Sequence, residues 1–203
     1  MSPRFDDEPT YDSTTQVDIE YIRRMYERVI DWYKVSEAKA QLILAVNGVF
    51  VTIVAGALFG KIEEVRSLVE TFGVDTWVFL LVSLGALVSA VVCATRCLWS
   101  RHGRNVRRDF ARLGVNPSVP ATYRPEALWY FGHLAKLPVE SAVQALRQAD
   151  RKYEIDALTY NVVGLARIVF SKHRFVNAGW GFTALALIAL TATGISLVIR
   201  SQV

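Results

Sequence analysis

The sequence predicts an all-α membrane protein: three transmembrane helices with long helical cytoplasmic extensions that form a helical bundle. Apolar residues make up 52% of the 203 residues, charged residues only 21%, and the mean hydropathy is +0.26. Three stretches lack Asp, Glu, Lys and Arg for about the 20 residues that a bilayer crossing needs. The polar segments between them have helical periodicity. A soluble bundle of buried helices is the alternative, but so short a chain has too little amphipathic sequence to cover three such helices.

The uncharged stretches fix the predicted order of segments. This order is a disordered N-terminal tail (1–16), a cytoplasmic amphipathic stalk helix (17–40), TM1 (41–60), an extracytoplasmic connector (61–76), TM2 (77–99), a cytoplasmic helical region (100–174), TM3 (175–199) and an extracytoplasmic tail (200–203). The polar, acidic start of the chain excludes a cleavable signal peptide there.

Two stalk helices are predicted to continue directly into spans. In the first, Ile22, Met25, Val29 and Trp32 recur every three or four residues, and no Gly or Pro interrupts the run into TM1. The second follows a proline-rich region in which Pro125 predicts a helix of a few turns. Its apolar stripe consists of Leu146, Ala149, Tyr153, Ala157, Tyr160, Gly164 and Ile168. We expect the stalks to pack on each other or on copies from other chains.

Flanking cations predict the orientation. Arginine and lysine cluster after TM2 and before TM3, whereas the connector holds Lys61 and Arg66 against four acidic residues. Because cations favour the cytoplasmic side, the N-terminus is predicted to lie inside the cell membrane and the C-terminus outside it.

Small and polar residues within the spans are candidates for helix packing or gating. TM1 has a small-residue face of Gly48, Thr52, Gly56 and Gly60, and TM2 has one of Gly85, Ser89, Cys93 and Cys97. Close approach over small residues is a usual means of association in lipid, within a protomer or between protomers. Asn47 is a strongly polar side chain inside a span, which indicates either helix packing or a polar lining.

Catalytic and metal chemistry have no recognisable pattern in the sequence. The two cysteines lack the spacing of a zinc or redox motif, and the three histidines are far apart. No phosphate loop, nucleophile elbow or metalloprotease motif occurs. We therefore expect neither an enzyme nor a metal or cofactor site.

An arginine cluster is the candidate ligand-binding feature, and it consists of Arg101, Arg104, Arg107 and Arg108. Topology and anionic lipid headgroups can explain it. A phosphate-bearing small ligand is the second explanation, because guanidinium groups pair with phosphate oxygens. Nucleic acid is disfavoured because no aromatic residues are interleaved with the arginines.

Three segments resemble the bacterial Pycsar effector family of transmembrane proteins. They are Ser36–Val49, Leu128–Gly132 and the helix from Ala157–Asn161 to Lys172–Phe175. The resemblance implies anti-phage defence, in which a neighbouring cyclase makes a cyclic pyrimidine mononucleotide and the effector impairs the inner membrane. It places Lys39, Asn47, Gly48, Phe131 and Gly132 among the family's characteristic residues. The chain departs in having no recognisable cyclic-nucleotide-binding domain, so either the helical region or a partner protein senses the ligand.

The leading hypothesis is therefore an oligomeric membrane effector whose partners are the lipid bilayer, further copies of itself and a cyclic nucleotide. The alternative is a non-disruptive membrane scaffold that recruits a cytosolic partner through its stalks. A small-solute transporter is disfavoured, because three unbroken spans with one buried amide provide little for a substrate pathway.

Overall fold

The computed structural model describes residues 15–60, 62–99, 106–128 and 130–201, and these residues are helical apart from short turns. The helices are α1 (Thr15–Gly60), α2 (Ile62–Glu70), α3 (Val74–Leu98), α4 (Val106–Leu113), a 3-10 turn (Pro120–Thr122), α5 (Pro125–Leu128), α6 (Phe131–Leu134), α7 (Val139–Arg147) and α8 (Arg151–Ser201). The described part of the chain contains no β-strand, as the predicted fold class requires.

Helices α1 and α8 are unusually long, with 46 and 51 residues. Each begins in a polar segment and continues without a break into an apolar one, because neither contains a proline. With α3, they are the three described helices that are long and apolar enough to cross a membrane. Only 17–28% of the residues in their most apolar windows are buried inside the protein, so most of the apolar surface is left for lipid.

The described residues divide into two compact units. The span unit lies within residues 32–100 and 168–203, and the helical unit lies within residues 1–31 and 101–167. Both α1 and α8 contribute to each unit.

Within the span unit, α1, α3 and α8 pack on one another over small side chains. Its main core consists of Ala40, Ile43, Ala90, Ala94, Cys97 and Val176. A second cluster joins Ala86 and Leu87 to Ala186, with Phe50 against them. Gly179 marks a close approach, since a β-carbon there would lie 3.0 Å from Ile43 Cδ1 and 3.5 Å from Cys93 Cβ. Helices α1, α3 and α8 therefore meet at a residue that the sequence analysis did not select.

The helical unit has its own hydrophobic core. It is formed by Phe110, Val115, Ala127, Leu128, Leu137 and Ala142, with Tyr123, Leu134 and Tyr153 among the half-buried side chains around it. Helix α4 ends at Gly114, whose φ of +68° is the left-handed conformation that glycine adopts most readily. The Val115 N–H then donates to the Phe110 carbonyl at 2.9 Å, which closes the helix end and brings Val115 into the core.

The helical region differs from the predicted pattern in two places. The stripe predicted from Leu146 to Ile168 is not one helix, because α7 ends at Arg147 and α8 begins at Arg151. Asp150 Oδ1 accepts the Tyr153 N–H at 2.7 Å, and this N-cap bond starts the new helix. Likewise, the helix of a few turns predicted at Pro125 has a single turn, followed by α6.

Candidate functional site

A buried ion pair lies in the span unit just before the predicted third span. Lys172 Nζ donates to Glu37 Oε1 at 2.7 Å, and the Lys172 side chain is only 3% exposed. The ammonium also lies 4.1 Å from the centroid of the Tyr33 ring. Beside it, the Trp32 and His173 rings meet edge to face at 5.6 Å. A buried ammonium needs such partners, so this contact fixes α1 against α8.

Asn47 is fully buried at the packed face between α1 and α8. Its Nδ2 atom donates to Thr183 Oγ1 at 2.9 Å and to the Ile43 carbonyl at 2.7 Å. Thr183 in turn donates to the Gly179 carbonyl at 3.0 Å. Asn47 Oδ1 has no hydrogen-bond partner within the described residues. The amide therefore connects two helices but leaves one acceptor unused.

A third polar group joins α3 to the end of α8. Arg200 and Ser196 donate to the two carboxylate oxygens of Asp75, at 2.5 and 2.6 Å. Because the Ser196 proton is used there, Thr76 is the donor in the 2.6 Å bond between the Thr76 and Ser196 hydroxyls. Asp75 lies in the first turn of α3 and Arg200 in the last turn of α8, where each charge is favoured by the helix dipole.

We call these contacts, together with the bond from Ser83 Oγ to the Ala186 carbonyl at 3.0 Å, the polar seam. It occurs at several levels along the span unit, and each level joins α8 to α1 or α3. Polar contacts between helices in lipid specify register and rotation, because sliding one helix would leave a polar group without its partner. The seam therefore defines one arrangement of the three helices.

The two predicted small-residue faces differ. The face on α1 points away from this seam, whereas the face on α3 turns inward at Cys93 and Cys97, and Cys97 is fully buried in the main core. A β-carbon added at Gly48, Gly56 or Gly60 would meet no atom of the described residues within 4 Å. Thr52 is exposed, and its hydroxyl donates to the Gly48 carbonyl of its own helix. On α3, Ser89 similarly donates to the Gly85 carbonyl, while Cys93 is half-buried towards Gly179. Thus Asn47 and Cys93 face the interior of the protomer, whereas the TM1 glycine face is open.

The arginine cluster is only partly described by the structure. Arg101 and Arg104 lie outside the described residues, as do residues 1–14 of the predicted tail and residues 202–203. Arg107 and Arg108 are exposed on α4. The Phe110 side chain of the same helix is buried in the core of the helical unit. Lys39 is exposed on α1.

The predicted Phe131–Gly132 pair lies at the start of α6 in the helical unit. Position 132 favours glycine because a β-carbon there would lie 2.5 Å from the Tyr130 ring. That ring contacts His133 edge to face at 5.0 Å, and His133 Nε2 lies 3.5 Å from Asp109 Oδ2. Burial, and then the charge of Asp109, raise the pKa of Tyr130. In contrast, Phe131 is 74% exposed.

Besides the polar seam of the span unit, a cavity of about 400 Å³ in the helical unit is a second candidate site. Apolar walls come from Pro125 and Leu128 of α5 and from Leu146 of α7, and Arg151 and Glu154 of α8 supply charge. The Glu154 carboxylate is bound by Arg23 of α1, whose Nη2 and Nε atoms donate to Glu154 Oε1 at 2.5 and 2.8 Å. A mostly apolar cavity with a few charged groups is typical of small-molecule sites.

Sequence reasoning missed most of these partners. From the sequence, Lys172 counts only among the cations before TM3, and Glu37 has no role of its own. Their pairing spans 135 positions, so no local spacing indicates it. The cavity also depends on the break at residues 148–150, which the apolar stripe concealed.

Comparison with known proteins identifies a family over most of the chain. A family model described as the Pycsar effector protein domain, PycTM, matches residues 21–200. Neither the curated proteins nor the solved structures compared with the chain gave a match.

Proposed function

The chain belongs to the Pycsar effector family, and from this premise we propose that it is an anti-phage effector that responds to a cyclic nucleotide by rearranging in the inner membrane. The family membership supports the anti-phage role and implies a cyclase that supplies the signal. The three apolar helices fit a protein of the inner membrane. The nucleotide response, the rearrangement and the assembly of several copies are our proposals.

The observation that carries the proposal is the continuity of α1 and α8. Each helix has a polar half that can meet a soluble signal and an apolar half that can meet lipid, with no break between them. In the helical unit, Arg23 on α1 binds Glu154 on α8. In the span unit, Glu37 and Lys172 join the same two helices. A change in how the polar halves pair is therefore a change in two helices that continue into spans.

The energy needed for such a switch is modest. Moving a two-state equilibrium from 1:99 to 99:1 takes about 5.5 kcal/mol of differential binding. A few charge-assisted hydrogen bonds from arginine to phosphate, made only in the active state, can supply this. Arg101, Arg104, Arg107 and Arg108 remain our candidates for some of these contacts, with the helical region on the cytoplasmic side.

The open glycine face of α1 supports assembly into a homo-oligomer. Gly48, Thr52, Gly56 and Gly60 leave a narrow small-residue surface that no other described part of the protomer covers. In lipid, such surfaces permit close approach of a second helix. We propose that this face joins protomers and that their rearrangement impairs the membrane.

Reconstitution tests the function directly. Purified full-length protein is placed in liposomes loaded with a self-quenched dye, and cyclic CMP, cyclic UMP or linear CMP is added. We expect dye release with one of the cyclic pyrimidine nucleotides and none with linear CMP. If the liposomes retain the dye at every nucleotide concentration and protein density, the proposed membrane disruption is refuted.

A membrane scaffold that recruits a cytosolic protein is the second candidate, because the helical unit has exposed apolar side chains. Phe131 and Val139 are 74% and 70% exposed, and Leu146 is 49% exposed. Such side chains outside the bilayer are typical of interaction surfaces. The scaffold hypothesis predicts harmless overexpression and recovery of one cytosolic protein in equal amount with the effector.

A further inference from the structure

We propose that the cavity between α5, α7 and α8 is the ligand site of the helical unit, and that its ligand combines a flat heterocyclic ring, whose faces meet the apolar walls, with an anionic group. This inference rests on the proposed function and deepens it, because it assigns the place where the signal binds. It does not depend on the predicted arginine cluster.

The size and walls of the cavity suit such a ring. Its volume of about 400 Å³ lies in the usual range for small-molecule sites and is sufficient for a mononucleotide. Pro125, Leu128, Leu146 and Ala157 supply aliphatic surface for the faces of a ring. Leu128 and Ala157 are almost fully buried, so this wall belongs to the packed unit.

Glu154 of the cavity wall holds a cation, Arg23, for which an anionic ligand can compete. Arg151 lines the cavity together with the carboxylates of Asp150 and Glu154. The Glu154 carboxylate is held by the guanidinium of Arg23, which is not itself one of the lining residues. Arg23 is half exposed, so it can turn towards a bound anion without unpacking a core. Both Arg23 nitrogens donate to the same carboxylate oxygen, Glu154 Oε1, and a phosphate oxygen is a charged acceptor of the same kind. The ligand anion therefore replaces Glu154 as the partner of Arg23.

The exchange gives binding a structural consequence. The Arg23–Glu154 pair joins α1 to α8, and a ligand that takes over Arg23 frees Glu154. The Asp150 side chain, which also lines the cavity, caps α8 through its bond to the Tyr153 N–H. Ligand binding thus acts at the first turn of α8 and on its contact with α1.

Paired variants test the assignment in the full-length protein in detergent. Ala149→Trp fills the cavity from an exposed position in the α7–α8 turn, and Ala166→Trp adds the same ring to an exposed site on α8 that does not line the cavity. Arg23→Gln removes the cation, and Arg24→Gln removes its exposed neighbour. Calorimetric titration with cyclic CMP and cyclic UMP measures binding, and circular dichroism checks that each variant is folded.

We expect Ala149→Trp and Arg23→Gln each to weaken nucleotide binding about tenfold or more, while their controls bind like the wild type. If the wild type binds and both test variants bind equally well, the cavity assignment is overturned but the effector function stands. If the wild type binds neither nucleotide, the proposed nucleotide response fails, and the cavity assignment fails with it. Should Ala149→Trp not fold, the Arg23 and Arg24 variants decide the outcome.

Discussion

Lys172 and Glu37 lie 135 positions apart in sequence, yet Lys172 Nζ is 2.7 Å from Glu37 Oε1. The two side chains differ in exposure, at 3% for the lysine and 34% for the glutamate. A buried ammonium without its carboxylate has no access to water, whereas a carboxylate that is one-third exposed can be hydrated when the lysine is removed. The pair is therefore energetically asymmetric.

This asymmetry predicts unequal effects of the two single substitutions. Glu37→Gln leaves the buried ammonium without a counter-charge and should destabilise the protein by about 1–3 kcal/mol. Lys172→Met leaves a hydrated carboxylate and should cost less. Because the double variant removes the stranded charge, it should melt above Glu37→Gln. Thermal unfolding in detergent measures all three, with about 2–4 °C expected for each kcal/mol. An equal loss in both single variants would contradict a buried lysine.

Gly179 provides the sharpest test of the packing of the span helices. Gly179→Val places its β-carbon at a position 3.0 Å from Ile43 Cδ1, and the added methyl groups must displace the neighbouring helices. Such overpacking costs about 1–3 kcal/mol. Gly181→Val is the matched control two residues away, where a β-carbon meets no neighbour among the described residues within 4 Å. The melting temperature should fall in the first variant and change little in the second. Similar behaviour of the two variants would argue against the close approach at Gly179.

These contacts show what the sequence can and cannot predict. The spans and the continuous helices were predictable because both depend on local properties, namely the absence of charge and the helical spacing of apolar residues. Asn47 stood out because an amide is rare among aliphatic residues. Its partner Thr183 did not, since threonine is common in spans and the helix rotation that joins the two is set by packing over Gly179 and Ala90. The glycine face of α1 was identified from its four-residue spacing in the sequence. The direction in which it points could not be predicted, because it depends on how the three helices pack.

A double-mutant cycle on Asn47 and Thr183 tests their coupling. Asn47→Ala and Thr183→Val each remove the 2.9 Å bond between the side chains, so their costs should not add. Interhelical hydrogen bonds within membranes are coupled by about 0.6 kcal/mol on average. We expect the double variant to be more stable than the sum predicts by about this amount. Thr191 is exposed and donates to the Leu187 carbonyl of its own helix. It provides the control cycle with Asn47 and should give additive effects.

Cysteine labelling tests the orientation that the function requires, with the helical unit in the cytoplasm. The native Cys93 and Cys97 are first replaced by alanine, which fits a core already built from alanines. Glu70→Cys, at the end of α2, should then react with a membrane-impermeant maleimide in intact spheroplasts. Ser118→Cys, in the exposed loop after α4, should react only after permeabilisation. This result is expected because cations flank the helical region and favour the cytoplasmic side. Labelling of Ser118→Cys in intact spheroplasts would place the cavity outside the cell, where a cyclase product made in the cytosol could not reach it.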